Sequence, residues 1–481
     1  MSVFFKNTLL YSVGNVIVAV AGFVLLPVYA NFMSVAEFGK INSLQTLAAV
    51  SAIFLSLALE RALARVYYDY NEPEEKKIFI NTVFISICAI GLVVLGITTL
   101  FSSQINRIFP SIPYYPFYIY TIIAALFNNW LSFFLILNQV KHKALNFLII
   151  TVIQLVITSS FILFYVIFLK QGALGYVKGT LFGTSLSAVI CFVLSIKNFE
   201  LKFSKKMLKN ALLFSLPMFP NLISSWVLSL SDRIFIDNYF SQYELGLYSL
   251  GYKVASLISF VSTAFFMAFN PIFYDLANRP DQENSKRILT KYNNLYILIV
   301  SLLCGILFIS CDGIIKILFG DKYINSIVFC KLFCISFAIN QFSGVFNLMI
   351  YQTKKTSVVS IIVTIVAGIN ITFNYFLIPK YGAIVAVYNS ILCSAVNFLL
   401  MYFYAKRNYY LKFDFKIIVQ LAFILLVITL INLKIEMNGI AEIIIYAAAE
   451  CVIVLLAFVY LNFSLVNQMY LSIFNKNKVI L

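Results

Sequence analysis

Long apolar runs recur along almost the whole chain, separated by short polar segments rich in lysine and arginine. A helix needs about 20 apolar residues to cross the hydrocarbon core of a bilayer. Runs of that kind fall at 8–32, 41–60, 78–102, 114–138, 144–169, 173–196, 215–239, 245–270, 292–311, 324–350, 356–378, 382–405, 416–433 and 440–462. The pattern predicts an all-α polytopic membrane protein with about 14 transmembrane helices. No connection is long enough to hold a folded domain, which argues against an enzyme with a large extramembrane catalytic loop.

Composition agrees. Of 481 residues, 62% are hydrophobic and 11% charged, and the mean hydropathy is +0.94. So few charges could not solvate a soluble domain. The net charge of +16 would suggest nucleic acid in a soluble protein. Here it reads as basic loops beside an anionic leaflet, and no nucleic acid partner is expected. With the N-terminus placed in the cytoplasm, roughly two thirds of the Lys and Arg residues fall on the cytoplasmic side, as the positive-inside rule asks. Both termini are then cytoplasmic.

The pattern also repeats. Leu9–Ser12 (LLYS) matches Leu212–Ser215 (LLFS), and Glu37-Phe38-Gly39 matches Glu244-Leu245-Gly246. Asp69 with Pro73 matches Asp275 with Pro280, Arg107 matches Lys316, Gln139 matches Gln352, and Gly172-Ala173 matches Gly382-Ala383. The offsets drift only from 203 to 213 and keep one order. Each unit has six spans, so the two point the same way across the membrane, a parallel repeat about an axis along the membrane normal. The expected organisation is two pseudo-symmetric six-helix lobes, 1–196 and 215–405, joined by a basic linker, 197–214. An appended helix pair with a cytoplasmic tail, 406–481, follows. The linker suits an interfacial helix on anionic lipid, or equally a solvated basic segment.

Charges near or inside spans mark candidate chemistry, because they usually face a protein interior or a water-filled cavity. Ser231–Lys253 carries Asp232, Arg233, Asp237, Glu244 and Lys253. Arg233 and Lys253, with Asp232 and Asp237, are read as the wall of a substrate cavity; the alternative is a structural ion pair with snorkelling side chains. Arg233 and Asp237, at i and i+4, could also pair locally. Lys331 is a weaker cavity candidate. Arg61 and Arg65 share a helix face at the cytoplasmic end of the second span. They would catch an anionic headgroup at the entrance, or serve as ordinary flanking charges. Amides within spans, among them Asn370 and Asn374, more often bond between helices than bind sugar.

The eight cysteines lie in apolar runs without metal-like spacing, and Cys330 and Cys334 are read as packing. The single histidine, His142, sits in a polar loop. No catalytic residue, metal site or cofactor is expected, and there is no phosphate-cradling glycine loop.

The segments LLYSVGN, LLPVYANFMSVAEFGKIN and FSLPMFPNLISSWVLSLSDRIFIDNYFSQYELGLYSLGYKV resemble the Wzx-type polysaccharide biosynthesis flippases of the MOP superfamily, which export O-antigen or capsule repeat units. The resemblance covers most of the chain. It implies two six-helix lobes in a V shape. It also implies a lipid-linked oligosaccharide, carried on undecaprenyl diphosphate, moved by alternating access to the outer leaflet of a bacterial inner membrane. Arg233 and Lys253 would then face the diphosphate, with Arg61 and Arg65 at the entrance. Membrane lipids are partners, and the polysaccharide polymerase and chain-length machinery are further ones. A MATE-like exporter of small cations and a membrane glycan polymerase are the alternatives. An acidic cavity would favour the first, and loss of polymer length with normal transport the second.

Overall fold

The computed structural model describes residues 3–200, 202–432, 440–463 and 467. These residues are overwhelmingly helical, with no strand among them. Eleven of the described helices are long and apolar enough to cross a membrane. Shorter apolar helices occupy the first and the last two expected positions, so every expected span has its helix. In chain order they are α1 (Val3–Phe32), α2 (Val35–Ser56), α3 (Pro73–Leu100), α4 (Tyr114–Val140), α5 (Ala144–Phe168), α6 (Gly172–Asn198) and α7 (Lys205–Leu230). Then follow α8 (Gln242–Ala277), α9 (Gln282–Phe319), α10 (Ser326–Gln352), α11 (Thr356–Tyr381), α12 (Ile384–Asn408), α13 (Phe415–Asn432) and α14 (Ile440–Leu461). Residues 468–481 of the expected cytoplasmic tail lie outside the described residues.

Two short helices follow spans. Leu57 and Ala58 take positive φ and separate α2 from Leu59–Val66. Asp232–Tyr239 comes directly after α7. The described residues fall into two compact units, Met1–Ser249 with Val363–Ala386, and Leu250–Ile362 with Val387–Leu481.

In the first unit a phenylalanine cluster closes the core. Phe79, Phe133 and Phe134 are fully buried, and the Phe84 ring meets Trp130, Phe133, Phe134, Phe192 and Phe199. The chain from Lys202 onward docks on α3. The Asn81 amide donates to the Lys202 carbonyl at 3.0 Å, and the Ser204 N–H donates to Thr82 Oγ1 at 3.1 Å. Lys205, Lys206 and Lys209 stay exposed while Ala211 is buried, which gives the start of α7 one basic and one apolar face.

The repeat is visible in the same unit at atomic detail. Ser34 caps α2: its Oγ accepts from the Glu37 N–H at 3.2 Å, and Glu37 Oε2 accepts from the Ser34 N–H at 3.0 Å. At α8 the Ser241 Oγ accepts from the Glu244 N–H at 3.2 Å, the same Ser-x-x-Glu arrangement 207 residues on. The glycines that follow these glutamates face each other's helices. A Cβ on Gly39 would collide with the Gln242 carbonyl oxygen, and a Cβ on Gly246 would collide with the Val35 carbonyl oxygen. Positions 35 and 242 are related by the same offset as 39 and 246. The two contacts are therefore mates, the signature of a local two-fold relation between these two segments. Gly172 and Gly382, also paired by the repeat, both have positive φ (54° and 91°), a backbone that other residues adopt only with strain.

In the second unit α9 and α10 pack as a hairpin, and α9 also packs against α13 and α14. Gly305 on α9 leaves room for Leu421 and Val454. Phe346, Phe398, Tyr402, Phe413 and Phe415 form a ring cluster that fixes the approach to α13.

Candidate functional site

The first unit holds a buried polar centre at the charged stretch that begins with Ser231. The end of α7 and the helix Asp232–Tyr239 supply Ser231, Asp232, Arg233 and Asp237, each at most 4% exposed. The start of α8 supplies Tyr248, and α11 supplies Asn370 and Asn374, all three fully buried. Tyr248 donates its hydroxyl to Asp232 Oδ2 at 2.6 Å, and the Asn374 amide donates to Asp232 Oδ1 at 2.6 Å. That amide also reaches Asn370 Oδ1 at 3.1 Å, which accepts from the Ser231 hydroxyl at 3.2 Å. Arg233 donates from Nη1 to the Ser229 carbonyl at 2.8 Å, and its guanidinium lies 5.8 Å from the Tyr248 ring centre. Tyr248 thus holds the carboxylate through its hydroxyl and the guanidinium through its ring face. Only hydrogen-bonded partners make such burial tolerable away from water.

Asp237 sits one helical turn further on, in a separate chain of bonds. The Ser111 hydroxyl donates to Asp237 Oδ1 at 2.5 Å, and the Gln242 amide donates to Ser111. Oδ2 of Asp237 is buried and has no hydrogen-bond partner among the described residues. Ser111→Ala removes the hydrogen bond to Oδ1, which costs about 1–3 kcal/mol where the group is shielded from water. The expected result is a lower unfolding temperature in detergent that Asp237→Asn in the same background partly restores. No restoration would mean that Ser111 acts through packing alone.

The profile of the polysaccharide biosynthesis protein family matches residues 4–277, more than half of the chain. The chain belongs to this family. The matched region includes the whole of Ser231–Lys253. Among individual relatives, the Lsg locus putative protein 1 of Haemophilus influenzae is 24% identical over 396 residues, covering 79% of this chain and 94% of that protein. The capsular polysaccharide biosynthesis protein CapF of Staphylococcus aureus is 24% identical over 420 residues, covering 84% of this chain and 99% of that one. Among solved structures, the lipid II flippase MurJ in its inward closed conformation superposes with a TM-score of 0.75 at 17% identity. The match covers 95% of this chain and all of that one. The MATE transporter VcmN of Vibrio cholerae gives a TM-score of 0.57 at 10% identity, covering 84% of this chain and 96% of that one. The chain therefore has the fold shared by MurJ and the MATE transporters, as the resemblance of its motifs implies.

The remaining candidates of this polysaccharide biosynthesis protein lie elsewhere. Arg61 and Arg65 are both exposed on the helix Leu59–Val66. Arg65 pairs with Asp69 at 2.5 Å and borders an open groove of about 440 Å³ with Asn210, Leu213 and Phe214. Lys253 is half-buried on α8 and belongs to the second unit. Lys331, also in the second unit, pairs with Asp312 at 2.7 Å and lies 5.8 Å from the Phe308 ring centre. The networks around Asp232 and Asp237 also contain residues that the charge pattern does not single out. Tyr248 is one of 30 tyrosines and carries no distinguishing signal. Ser111 lies 126 residues before the acid it serves. Gln242 alone had a local cue, since it follows the cap residue Ser241.

Proposed function

We propose that this polysaccharide biosynthesis protein is a flippase. It moves undecaprenyl-diphosphate-linked oligosaccharide from the cytoplasmic to the outer leaflet of a bacterial inner membrane, for O-antigen or capsule assembly. The family match, joined to the MurJ-like fold over 95% of the chain, carries the reading. The two repeats, 1–196 and 215–405, expose the substrate to each leaflet in turn, with both termini in the cytoplasm. The chain performs no bond chemistry, and a polymerase with its chain-length machinery takes up the product. Arg233 and Lys253 supply positive charge for the diphosphate, and Arg61 and Arg65 receive it at the entrance.

Depletion of the protein tests this. Lipid-linked oligosaccharide is expected to accumulate on the cytoplasmic leaflet while surface glycan is lost. Units that still reach the outer leaflet in a strain with no second flippase would overturn the proposal. The joint variant Arg233→Ala/Lys253→Ala is expected to reduce export at unchanged protein level; unchanged export would remove these residues from the site while leaving the flippase reading standing. The two buried carboxylates, Asp232 and Asp237, favour a second reading, export of small cations in the manner of the MATE transporters. Increased drug susceptibility on deletion, with normal surface glycan, would support it.

A further inference from the structure

Four of the eight cysteines fall between residues 304 and 334, on the α9–α10 hairpin. Three of them converge. The sulfurs of Cys311 on α9 and of Cys330 and Cys334 on α10 all lie within 4.8 Å of one another, and all three residues are fully buried. Cys330 and Cys334 share a face at i and i+4, and Cys311 meets that face from the neighbouring helix. One residue away on each helix, Lys331 pairs with Asp312 at 2.7 Å, so the register of α9 against α10 is fixed beside the sulfurs.

We propose that Cys311, Cys330 and Cys334 form a binding site for one soft d10 metal ion, Cu(I). Thiolates select soft ions, and Cu(I), zinc and iron–sulfur clusters are the ones proteins bind through them most. A metal–thiolate bond is about 2.3 Å long, so a planar three-sulfur site holds its sulfurs about 4.0 Å apart. The observed sulfurs, within 4.8 Å of one another, lie close to that spacing. Zinc in structural sites takes four ligands in a tetrahedron. The fourth nearby cysteine, Cys304, lies seven residues before Cys311, about 10.5 Å along α9. Its thiol donates instead to the Cys334 carbonyl at 3.4 Å. No histidine or carboxylate joins the three sulfurs in the cluster among the described residues. Three sulfurs without a fourth ligand suit Cu(I) better than zinc. On binding, each ligating thiol gives up its proton to solvent, and no change of oxidation state is involved. The ion would clip α9 to α10.

The full-length protein, purified in detergent with reductant, is titrated against Cu(I) held by bicinchoninate. The wild type and Cys304→Ser are expected to withdraw one Cu(I) per chain, and the triple variant Cys311→Ser/Cys330→Ser/Cys334→Ser none. The triple variant keeps the other five cysteines and so controls for thiol content. X-ray absorption on the loaded wild type, which needs no variant to fold, is expected to show three sulfurs at about 2.3 Å. Three results overturn the proposal: no withdrawal by the wild type, a first shell of nitrogen or oxygen, or stoichiometric zinc in place of copper. A disulfide joining two of the three cysteines in freshly purified, reductant-free protein overturns it as well.

Discussion

Asp232→Ala is expected to be the most damaging single substitution in this protein. The carboxylate accepts hydrogen bonds at 2.6 Å from both Tyr248 and Asn374, and neither donor has access to solvent. Removing one member of a buried charged network costs about 3–5 kcal/mol, because the groups left behind keep their desolvation cost and lose their compensation. Asp232→Asn separates the fold from the charge. It keeps the shape and one acceptor but takes the counter-charge from the buried Arg233, so it should unfold below the wild-type temperature and above that of Asp232→Ala. Without the negative charge beside Arg233, export of surface glycan should fall tenfold or more. The two readouts are the unfolding temperature in detergent and the amount of surface glycan at matched protein level. If Asp232→Asn exports normally, the charge has no part in transport and the centre is structural. If Asp232→Ala unfolds at the wild-type temperature, the network does not hold the fold either. Tyr248→Phe removes the hydrogen bond to Asp232 and keeps the ring under Arg233, so its cost should be smaller, about 1.5–3 kcal/mol.

The second large effect concerns Gly39 and Gly246. Each lies so close to a backbone carbonyl of the other repeat that a methyl group cannot be placed without moving a helix. Overpacking of this kind costs about 1–3 kcal/mol per site, and a backbone neighbour puts both sites toward the upper end. Gly39→Ala and Gly246→Ala should destabilise by similar amounts, since their surroundings are mates under the repeat. The double variant should lose less than the sum, because separating the helices for one methyl group makes room for the other. Chemical unfolding of the three variants decides this. Strongly unequal single effects would show that the two contacts, though alike in position, do not share strain.

Much of this architecture was legible in the sequence. Every expected span has its helix, since a run of about 20 apolar residues has few other stable outcomes in a bilayer. The Glu-Phe-Gly and Glu-Leu-Gly pair was visible as an echo, and its cause is the double cap and crossing at Ser34–Gly39 and Ser241–Gly246. The charges of Asp232, Arg233 and Asp237 stood out because apolar segments rarely carry them. Their partners did not stand out. Asn374 is 142 residues from Asp232, and an amide in a span signals only some bond between helices. The sulfur cluster was half visible. Cys330 and Cys334 share a helical face, but the 19 residues from Cys311 to Cys330 include a turn between helices, and only the packing of α9 on α10 brings the third sulfur in. Periodicity describes one helix at a time, so a site made by two helices escapes it.

The adjacency of Asp232 and Arg233 has an electrical consequence. Moving one elementary charge through a membrane potential of 100 mV takes about 2.3 kcal/mol. Opposite charges on consecutive residues of one rigid helix move together, and the work done on one cancels the work done on the other. A voltage across the membrane therefore does almost nothing to this pair when it shifts. The potential can drive such a shift only through charges that move with the pair, Asp237 on the same helix and whatever is bound beside it.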